Sequence, residues 1–341
     1  MTTLSIDAMG GDDGAEVTVP AAIKFLSQPD SANQKIILVG DEATLEALIH
    51  QHKGDYFVKN GRLSIRTASQ VVEMNESPVR ALKKKKDSSM RVAINLVKDG
   101  EADACVSAGN TGALMATAKF VLKTIPGIKR PAICSSMPCP DPNSTVYMLD
   151  LGANVDSSPE MLLEFAVMGS VLTEYVEQKQ SPTIGLLNVG AEEIKGSEKV
   201  KQASILLSDS ELNYVGYIEG DEIFTGKVNV IVCDGFEGNV ALKASEGTAS
   251  MILGILKTEY KRNWFRKLTA LASKPVFKAM QVKLDPRNFN GATLIGLNGI
   301  VVKSHGGTDS KGFLTAIREA AKQADMDVIT HISEEINKMV N

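Results

Sequence analysis

Four times along this chain, an apolar strand-like run is followed by a loop rich in Gly, Asn and Asp and then by a helix-like run. The four stretches span residues 103–115, 144–158, 183–198 and 228–239. Alternating strands and helices favour a large, mostly parallel sheet covered by helices on both faces, a three-layer α/β/α sandwich. Loops at the carboxyl ends of such strands line one shared crevice. We therefore expect the polar residues of these loops to lie together, namely Asn110, Asn154, Lys195, Asp234 and Asn239.

Composition narrows the function classes. The chain has 341 residues, of which 43% are hydrophobic and 23% charged, with a formal net charge of −4. These values are typical of a soluble globular protein, and the negative balance makes no case for nucleic-acid binding. A strand-like run begins at the N-terminus without a signal peptide, and no apolar run is long enough to span a bilayer. We expect a cytoplasmic protein that can contact a membrane only peripherally.

The four cysteines are scattered and lack the spacing of a metal site. Cys105 and Cys233 lie inside apolar runs, where cysteine usually serves as a small core residue. Free thiols fit a reducing compartment. We expect neither a bound metal nor a cofactor.

The stretch 103–115 is a candidate anion site. Gly109 and Gly112 permit close approach of a ligand to the backbone between Ser107 and the next helix. Asn110 or Thr111 can cap that helix and leave its first N–H groups facing outward, which suits a phosphate or carboxylate. An ordinary strand-to-helix turn with a good cap explains the same residues.

The first strand-like run ends in a similar loop. Residues 3–6 lead into Asp7, and Gly10 and Gly11 follow. The spacing differs from Gly-x-Gly-x-x-Gly, so the dinucleotide-binding fingerprint is absent. Asp7 is either a catalytic or ligand-ordering carboxylate or a cap for the loop.

Near the C-terminus, residues 291–309 read as two strands around an Asn298-Gly299 turn, a strong hairpin signal. The second strand leads into a glycine-rich loop that contains His305. This histidine is a candidate for catalysis, although a structural histidine is equally compatible with the pattern.

A basic stretch departs from the acidic balance of the chain. Residues 257–287 contain nine Lys or Arg and two acids. From Ala272 onward the apolar side chains fall on one helical face and the lysines on the other, as in a helix that lies on a membrane surface. The candidate docking residues are Lys261, Trp264, Lys274, Val276, Phe277, Lys278 and Met280.

Anionic lipid, an acidic protein and a merely solvated helix face remain alternatives for this stretch. The four lysines at 83–86 also have two interpretations: they form either a solvated helix end or a contact for an acidic partner. We expect one α/β catalytic domain over residues 1–341, with residues 250–285 protruding as a basic amphipathic helical segment.

Six motifs, in this order, resemble those of the bacterial phosphate acyltransferases of the PlsX type, which depend on acyl-carrier protein. They are Asp7-Ala-Met-Gly-Gly-Asp12, Ser107-Ala-Gly-Asn-Thr-Gly112, Asp150-Leu-Gly-Ala-Asn154, Asn188-Val-Gly-Ala-Glu192 with Lys195-Gly196, Asp234-Gly-Phe-Glu-Gly-Asn239 and Lys303-Ser-His-Gly306. The resemblance covers essentially the whole chain. It implies a fold similar to that of phosphotransacetylases and the isocitrate and isopropylmalate dehydrogenases.

The resemblance also implies a reaction and partners. Long-chain acyl-acyl-carrier protein and inorganic phosphate would give acyl phosphate, which a membrane glycerol-3-phosphate acyltransferase would consume in phospholipid synthesis. Members of the family are homodimers that associate peripherally with the membrane. The nearest enzymatic alternative is a phosphotransacetylase-like enzyme that uses acyl-coenzyme A, and a more distant one is a decarboxylating dehydrogenase of the same fold. An alternative from a different class is a non-catalytic membrane scaffold for lipid enzymes.

Because phosphate itself is the nucleophile, such an enzyme needs positioning and preorganised donors rather than a Ser or Cys nucleophile. We expect the phosphate and acyl group to be bound by Asp7, Gly10, Gly11, Ser107, Gly109, Asn110, Thr111 and Gly112. The candidate catalytic residues are Lys195, Asn154, Asn239, Asp234 and His305. The first three would orient phosphate or polarise the thioester carbonyl, and the last two would handle protons or orientation.

Overall fold

A computed structural model describes residues 1–141 and 144–340, without the side chains of residues 281, 282 and 340. Its centre is an 11-stranded sheet in the order β3-β2-β1-β4-β11-β10-β5-β6-β9-β7-β8. The strands are β1 (Thr2–Asp7), β2 (Gln34–Gly40), β3 (Leu63–Thr67), β4 (Ala104–Ser107), β5 (Ala132–Met137), β6 (Val146–Leu149), β7 (Ile184–Leu187), β8 (Tyr214–Ile218), β9 (Val230–Val232), β10 (Ala292–Ile295) and β11 (Ile300–Lys303).

Helices cover both faces of this sheet. They are α1 (Ala15–Leu26), α2 (Glu42–Gln51), α3 (Asp55–Lys59), α4 (Pro78–Lys84), α5 (Ser89–Lys98), α6 (Thr111–Leu122), α7 (Pro159–Val176), α8 (Glu198–Ser208), α9 (Gly235–Lys261), α10 (Trp264–Ala272), α11 (Lys274–Lys283), α12 (Ser310–Asp325) and α13 (Val328–Val340). Side chains alternate across each strand. In β4, Val106 packs with α1 and α12 on one face, and Cys105 packs with α5 and α6 on the other. The predicted three-layer α/β/α sandwich is confirmed.

The strands in the two halves of the sheet run in opposite directions. Strands β3, β2, β1, β4 and β11 are parallel, whereas β10 is antiparallel to both β11 and β5. A further antiparallel pair joins β5 to β6, and β6, β9, β7 and β8 are parallel to one another. The carboxyl ends of β1, β4 and β11 therefore lie at one rim of the sheet, here called the Lys303 rim. Those of β6, β9 and β7 lie at the opposite rim, here called the Asp150 rim.

The structure confirms two local predictions, the hairpin and the buried cysteines. Strands β10 and β11 pair antiparallel around the Asn298-Gly299 turn, which confirms the hairpin. Cys105 and Cys233 are buried, as expected for core residues, and burial raises the pKa of both thiols.

The basic stretch is divided among three helices. The sequence from Met251 to Leu268 is predicted to form one helix, and this prediction is wrong, because α9 ends at Lys261 and α10 begins at Trp264. Asn263 separates the two helices: its backbone is extended, and its side chain accepts a hydrogen bond from the N–H of Arg266 and caps α10. The interruption turns the chain back, so that α10 packs against α9.

Candidate active site

Three polar side chains stand in one row at the Lys303 rim. Asp7 ends β1, Ser107 ends β4 and Lys303 ends β11, and the sheet register pairs Ser107 with each of the other two. Adjacent parallel strands thus place a carboxyl, a hydroxyl and an amino group side by side. We call these three residues, together with the loops 8–12, 108–112 and 304–307, the Lys303 site.

Hydrogen bonds connect the first two of these side chains. The hydroxyl of Ser107 donates to Oδ2 of Asp7 at 2.6 Å and accepts from the N–H of Gly109 at 3.1 Å. The other carboxyl oxygen of Asp7 is buried and has no partner among the described residues. Burial raises the pKa of Asp7, although the bond from Ser107 and the charge of Lys303 act against that shift. Burial thus acts against the carboxylate form, which would repel an anion.

Lys303 is the residue that sequence reasoning missed, although it begins the motif Lys303-Ser-His-Gly306. Burial lowers the pKa of its ammonium group to about 8, even though Asp7 and Asp12 act in the opposite direction. Nζ donates to the carbonyl oxygens of Ala108, at 3.3 Å, and Ser304. A lysine at the end of the apolar run Ile300–Val302 was the available signal, because a cation in such a position is seldom buried without a functional reason.

Glycines allow the loops of the Lys303 site to approach one another. A Cβ on Gly10 would lie 2.5 Å from Oδ2 of Asp7 and 2.9 Å from the backbone nitrogen of Gly109. Gly11 has a φ of 100° and lies beside Ala108 and the carbonyl of Gly306. Only residues without a side chain fit at these two positions.

Helix α6 begins at this site. Oδ1 of Asn110 accepts from the N–H of Ala113 at 2.9 Å, so Asn110 is the cap. Its amide nitrogen donates to the carbonyl oxygens of Met74 (2.6 Å) and Glu76 (3.2 Å). The amide of Asn110 is therefore engaged in structure. The N–H groups of Thr111 and Gly112, in contrast, donate to no described residue and remain available to an anion.

His305 lies at the border of the Lys303 site and is exposed. Its backbone N–H donates to Oδ1 of Asn290 at 2.9 Å, and its ring Nδ1 accepts from the N–H of Gly307 at 3.2 Å. The ring is thus oriented with Nε2 as its remaining polar atom. The loop is also tied to the first strand's loop, because the N–H of Asp12 donates to the carbonyl of Gly306 at 3.0 Å.

A second group of predicted residues lies at the Asp150 rim. Oδ1 of Asp150 accepts from the N–H groups of Ile133 (2.9 Å) and Ala153 (3.0 Å). Its Oδ2 accepts from the backbone N–H and the side-chain amide of Asn154, at 2.7 and 3.0 Å. The same amide also donates to the carbonyl of Pro131 at 2.9 Å. The backbone N–H and the side-chain amide of Asn154 are therefore already hydrogen-bonded, and Asp150 holds the loop in its conformation.

Asp234, after β9, is engaged in the same way. Its Oδ1 accepts from the N–H of Phe236 at 2.8 Å and caps α9, while its Oδ2 accepts from the N–H of Ser157 at 2.6 Å. Asn239, one turn further along α9, lies against Gly152, where an added Cβ would come within 3.4 Å of it. The amide of Asn239 hydrogen-bonds to no described residue and is the available donor of this group. We call Asp150, Asn154, Asp234 and Asn239 the Asp150 cluster.

Lys195 follows β7 at the same rim and is about half exposed. Its Nζ lies 2.8 Å from Oε2 of Glu192, and this contact raises the pKa of the lysine. Asn188 holds the loop by donating to the carbonyl oxygens of Gly190 (3.1 Å) and Lys195 (3.2 Å). Lys195 is therefore a paired surface cation rather than a buried one.

The expectation of one shared crevice is wrong within a single chain. Asn154, Lys195, Asp234 and Asn239 follow adjacent parallel strands at the Asp150 rim, whereas Asn110 lies at the Lys303 rim. The physical reason is the pair of antiparallel strands β10 and β5, which reverses the strand direction halfway across the sheet.

Known proteins similar to this chain point to one family and one fold. A model of a family described as fatty acid synthesis protein matches residues 2–331. The phosphate acyltransferase of Nitrosococcus oceani is 54% identical over 331 residues, which are 97% of this chain and 95% of that relative. The phosphate acyltransferase of Chromobacterium violaceum is 53% identical over 339 residues, 99% and 96% of the two chains. A solved phosphotransacetylase from Streptococcus pyogenes superposes with a TM-score of 0.63 at 18% identity, covering 95% and 94%, and so shares the fold.

Proposed function

Because this chain belongs to the family of fatty acid synthesis proteins, we propose that it transfers a long-chain acyl group from acyl-carrier protein to inorganic phosphate. Its family makes it an acyltransferase that uses phosphate. In the proposed reaction, an oxygen of phosphate attacks the thioester carbonyl carbon. The new C–O bond forms, the C–S bond breaks, and the sulfur of the carrier leaves and takes up a proton. The products are acyl phosphate and free carrier.

The observation that carries the phosphate assignment is the buried amino group at the Lys303 site. Nζ of Lys303 contacts the carbonyl of Ala108, in the loop that leads into the unengaged N–H groups of Thr111 and Gly112 at the start of α6. An ammonium group and the N-terminus of a helix together favour a multiply charged anion. Burial of Asp7 works against a further negative charge beside the bound phosphate, because it raises the pKa of that carboxyl. Phosphate would thus be fixed without reorganisation of the protein, which is the main contribution expected for such a reaction.

The residues of the Asp150 rim take different parts in this proposal. Asn154 and Asp234 maintain the loops, since their polar atoms are already engaged. Asn239 and Lys195 lie at the rim opposite the Lys303 site, so within one chain they take no part in the proposed attack of phosphate on the thioester. His305 can orient or relay a proton at the Lys303 site through Nε2.

One assay tests the proposed function. The protein is incubated with phosphate and either palmitoyl-carrier protein, palmitoyl-coenzyme A or acetyl-coenzyme A, and acyl phosphate is trapped with hydroxylamine. We expect hydroxamate with palmitoyl-carrier protein. Preference for a coenzyme A thioester would instead identify a phosphotransacetylase-like enzyme, and the absence of product with any donor would favour a membrane scaffold.

Residues 246–284, here called the arm, carry the proposed membrane contact. They comprise the outer part of α9 with α10 and α11. Trp264 is 73% exposed and Leu271 66% exposed. Together with Leu268 they form one face of α10, and no described residue covers it. No helix in the described part of the chain is long and apolar enough to cross a bilayer. We propose that this face and the neighbouring lysines seat the arm on an anionic membrane surface.

The arm departs in one respect from the predicted docking surface. The predicted face of α11 is only partly available, because Phe277 packs edge-on against Tyr260 with ring centroids 5.0 Å apart. Val276 stays exposed, whereas Phe277 and Met280 are half-buried. Helix α10 presents the cleaner apolar face.

Flotation with vesicles tests the membrane contact. In Leu271→Glu, a charge enters the apolar face of α10, and we expect the fraction that floats with vesicles of phosphatidylglycerol and phosphatidylethanolamine to fall severalfold. Thr269→Glu is the matched control, since it adds the same charge to the opposite face of the same helix. Equal flotation of both variants and the unaltered protein would exclude the lipid contact.

A homodimer is part of the proposal. Met251, Ile252 and Ile255 are exposed on the outer part of α9, where a second copy could cover them. Sedimentation equilibrium gives the mass directly, and a monomeric mass would exclude this assembly. The proposed product would serve a membrane glycerol-3-phosphate acyltransferase, which the arm would bring within reach.

A further inference from the structure

The outer surface of helices α4, α5 and α6 is densely basic. Seven cations there form no ion pair with any described residue: Lys83, Lys84, Lys86, Arg91, Lys98, Lys119 and Lys123. We call these seven residues the basic face. It lies on one helical layer of the sandwich, whereas the arm is a separate projection.

The acids of the same region do not neutralise this charge. The side chain of Glu76 is nearly buried and contacts Arg80 and Lys85, which are outside the basic face. Oδ2 of Asp87 accepts from the hydroxyl and the N–H of Ser69. Asp99 remains as an exposed acid next to the end of α5. The surface therefore keeps a local positive potential in a chain whose net charge is −4.

An aromatic side chain stands in the middle of the basic face. Phe120 is 52% exposed, and its ring centroid lies 5.1 Å from the guanidinium carbon of Arg91 and 4.9 Å from Nζ of Lys123. Two grooves of about 450 and 410 Å³ meet at this ring. Arg91, Lys98 and Asn298 line one groove, and Leu82 and Lys119 line the other. The surface thus offers an apolar anchor with cations around it.

The backbone conformation at Lys123 is fixed by hydrogen bonds. This lysine has a φ of 63°, in the left-handed region that residues with a side chain seldom adopt. Asn298 stabilises it: its N–H donates to the carbonyl of Lys123 at 3.1 Å, and its amide donates to those of Leu122 (3.2 Å) and Thr124 (2.9 Å). Because the backbone at Lys123 is already fixed, no backbone freedom is lost there when a partner binds.

We propose that the basic face docks the acidic protein that carries the acyl chain as a thioester; this inference rests on the proposed function and adds the partner's binding surface. Charge complementarity selects the occupant, because carrier proteins of this kind are acidic and a basic surface steers their approach.

The two candidate surfaces differ in chemistry. In the arm, Glu259 already pairs with Arg262 and Arg266, and the exposed groups of α10 are mainly apolar, as a lipid surface requires. The basic face has unpaired cations around a single aromatic ring and is grooved, which fits an acidic helix better than a bilayer.

Charge reversal tests the assignment. Lys119→Glu/Lys123→Glu changes the face next to Phe120, and Lys83→Glu/Lys84→Glu changes it at the end of α4. The control is Lys24→Glu/Lys59→Glu, which makes the same charge change at exposed, unpaired lysines of α1 and α3 in the other helical layer. Circular dichroism establishes that all three variants are folded.

Binding of holo-carrier protein is measured by surface plasmon resonance at several salt concentrations, and turnover with palmitoyl-carrier protein is measured alongside it. We expect each face variant to raise Kd and KM on the order of tenfold or more, with a weaker salt dependence and with kcat within a factor of two. The control should match the unaltered protein.

Face variants that bind the carrier normally, or an unaltered protein that does not bind it, would overturn the docking surface. The docking surface would also be overturned if the face variants lost binding to anionic vesicles or to an oligonucleotide but kept binding to the carrier. Failure of the proposed function is recognised separately, as normal carrier binding without acyl phosphate.

Discussion

Replacement of Lys303 by methionine is expected to reduce turnover by a factor on the order of 10²–10³ and, at the same time, to stabilise the protein. Burial lowers the pKa of this lysine to about 8. Holding it charged at pH 7 therefore costs roughly 3 kcal/mol relative to the unfolded chain. Methionine has similar length and no charge, so this cost disappears together with the cation that we propose binds phosphate.

The dependence on pH follows from the direction of that shift. The penalty on the charged lysine is fully present below pH 8 and fades as pH rises toward its ordinary pKa of 10.5. The stability advantage of Lys303→Met should thus be largest near pH 7 and nearly vanish near pH 10.5. In the unaltered protein, KM for phosphate should rise above pH 8, where the ammonium group loses its proton.

Urea unfolding at pH 7 and pH 10, together with phosphate kinetics, checks these expectations. Lys24→Met is the control, since Lys24 is exposed on α1 and should leave both quantities unchanged. If the Lys303→Met protein keeps the KM for phosphate of the unaltered enzyme, phosphate does not bind at the Lys303 site.

Gly238→Ala is expected to lower the free energy of unfolding by about 3 kcal/mol or more. A Cβ at this position would lie 1.9 Å from the carbonyl oxygen of Asp150 and 2.8 Å from Sγ of Cys233. The nearest atom belongs to the backbone and cannot rotate away. Helix α9 would have to move off the Asp150 cluster, which would also displace the amide of Asn239.

Gly247→Ala supplies the matched control in the same helix. Nothing lies within 4 Å of a Cβ there, so the same substitution should stabilise the protein by about 0.5–1 kcal/mol through helix propensity. Equilibrium urea unfolding of the two variants measures the contrast. If both variants unfold at the same urea concentration as the unaltered protein, the close packing of α9 on Asp150 is refuted.

Local features of the fold were accessible from the sequence because their causes are local. The Asn298-Gly299 turn favours a hairpin by its own backbone preferences, and Asn110 caps α6 through an atom only three residues away. The buried cysteines follow from apolar neighbours in the same run.

The reversal of the sheet could not be predicted in the same way. It depends on which strands flank β10 and β5, and these neighbours are far apart in the chain: Thr293 pairs with Cys134. The candidate list likewise named Asn154 for its amide, but the hydrogen bonds of that amide to Asp150 and Pro131 exist only in the folded loop. The depressed pKa of Lys303 also arises from burial that no local pattern contains.

Helix α9 connects the Asp150 cluster at one end to α10 at the other. It begins at Gly235, directly after its cap Asp234, and from Glu246 to Lys261 it extends away from the sheet over roughly 24 Å. Because each residue adds both rise and rotation, the length of α9 sets the distance of α10 from the sheet and also the direction in which α10 faces. Removing two residues would shorten the spacer by only about 3 Å yet turn the arm by roughly 200°. A change in the number of residues in this helix therefore alters the orientation of α10 much more than its distance from the sheet.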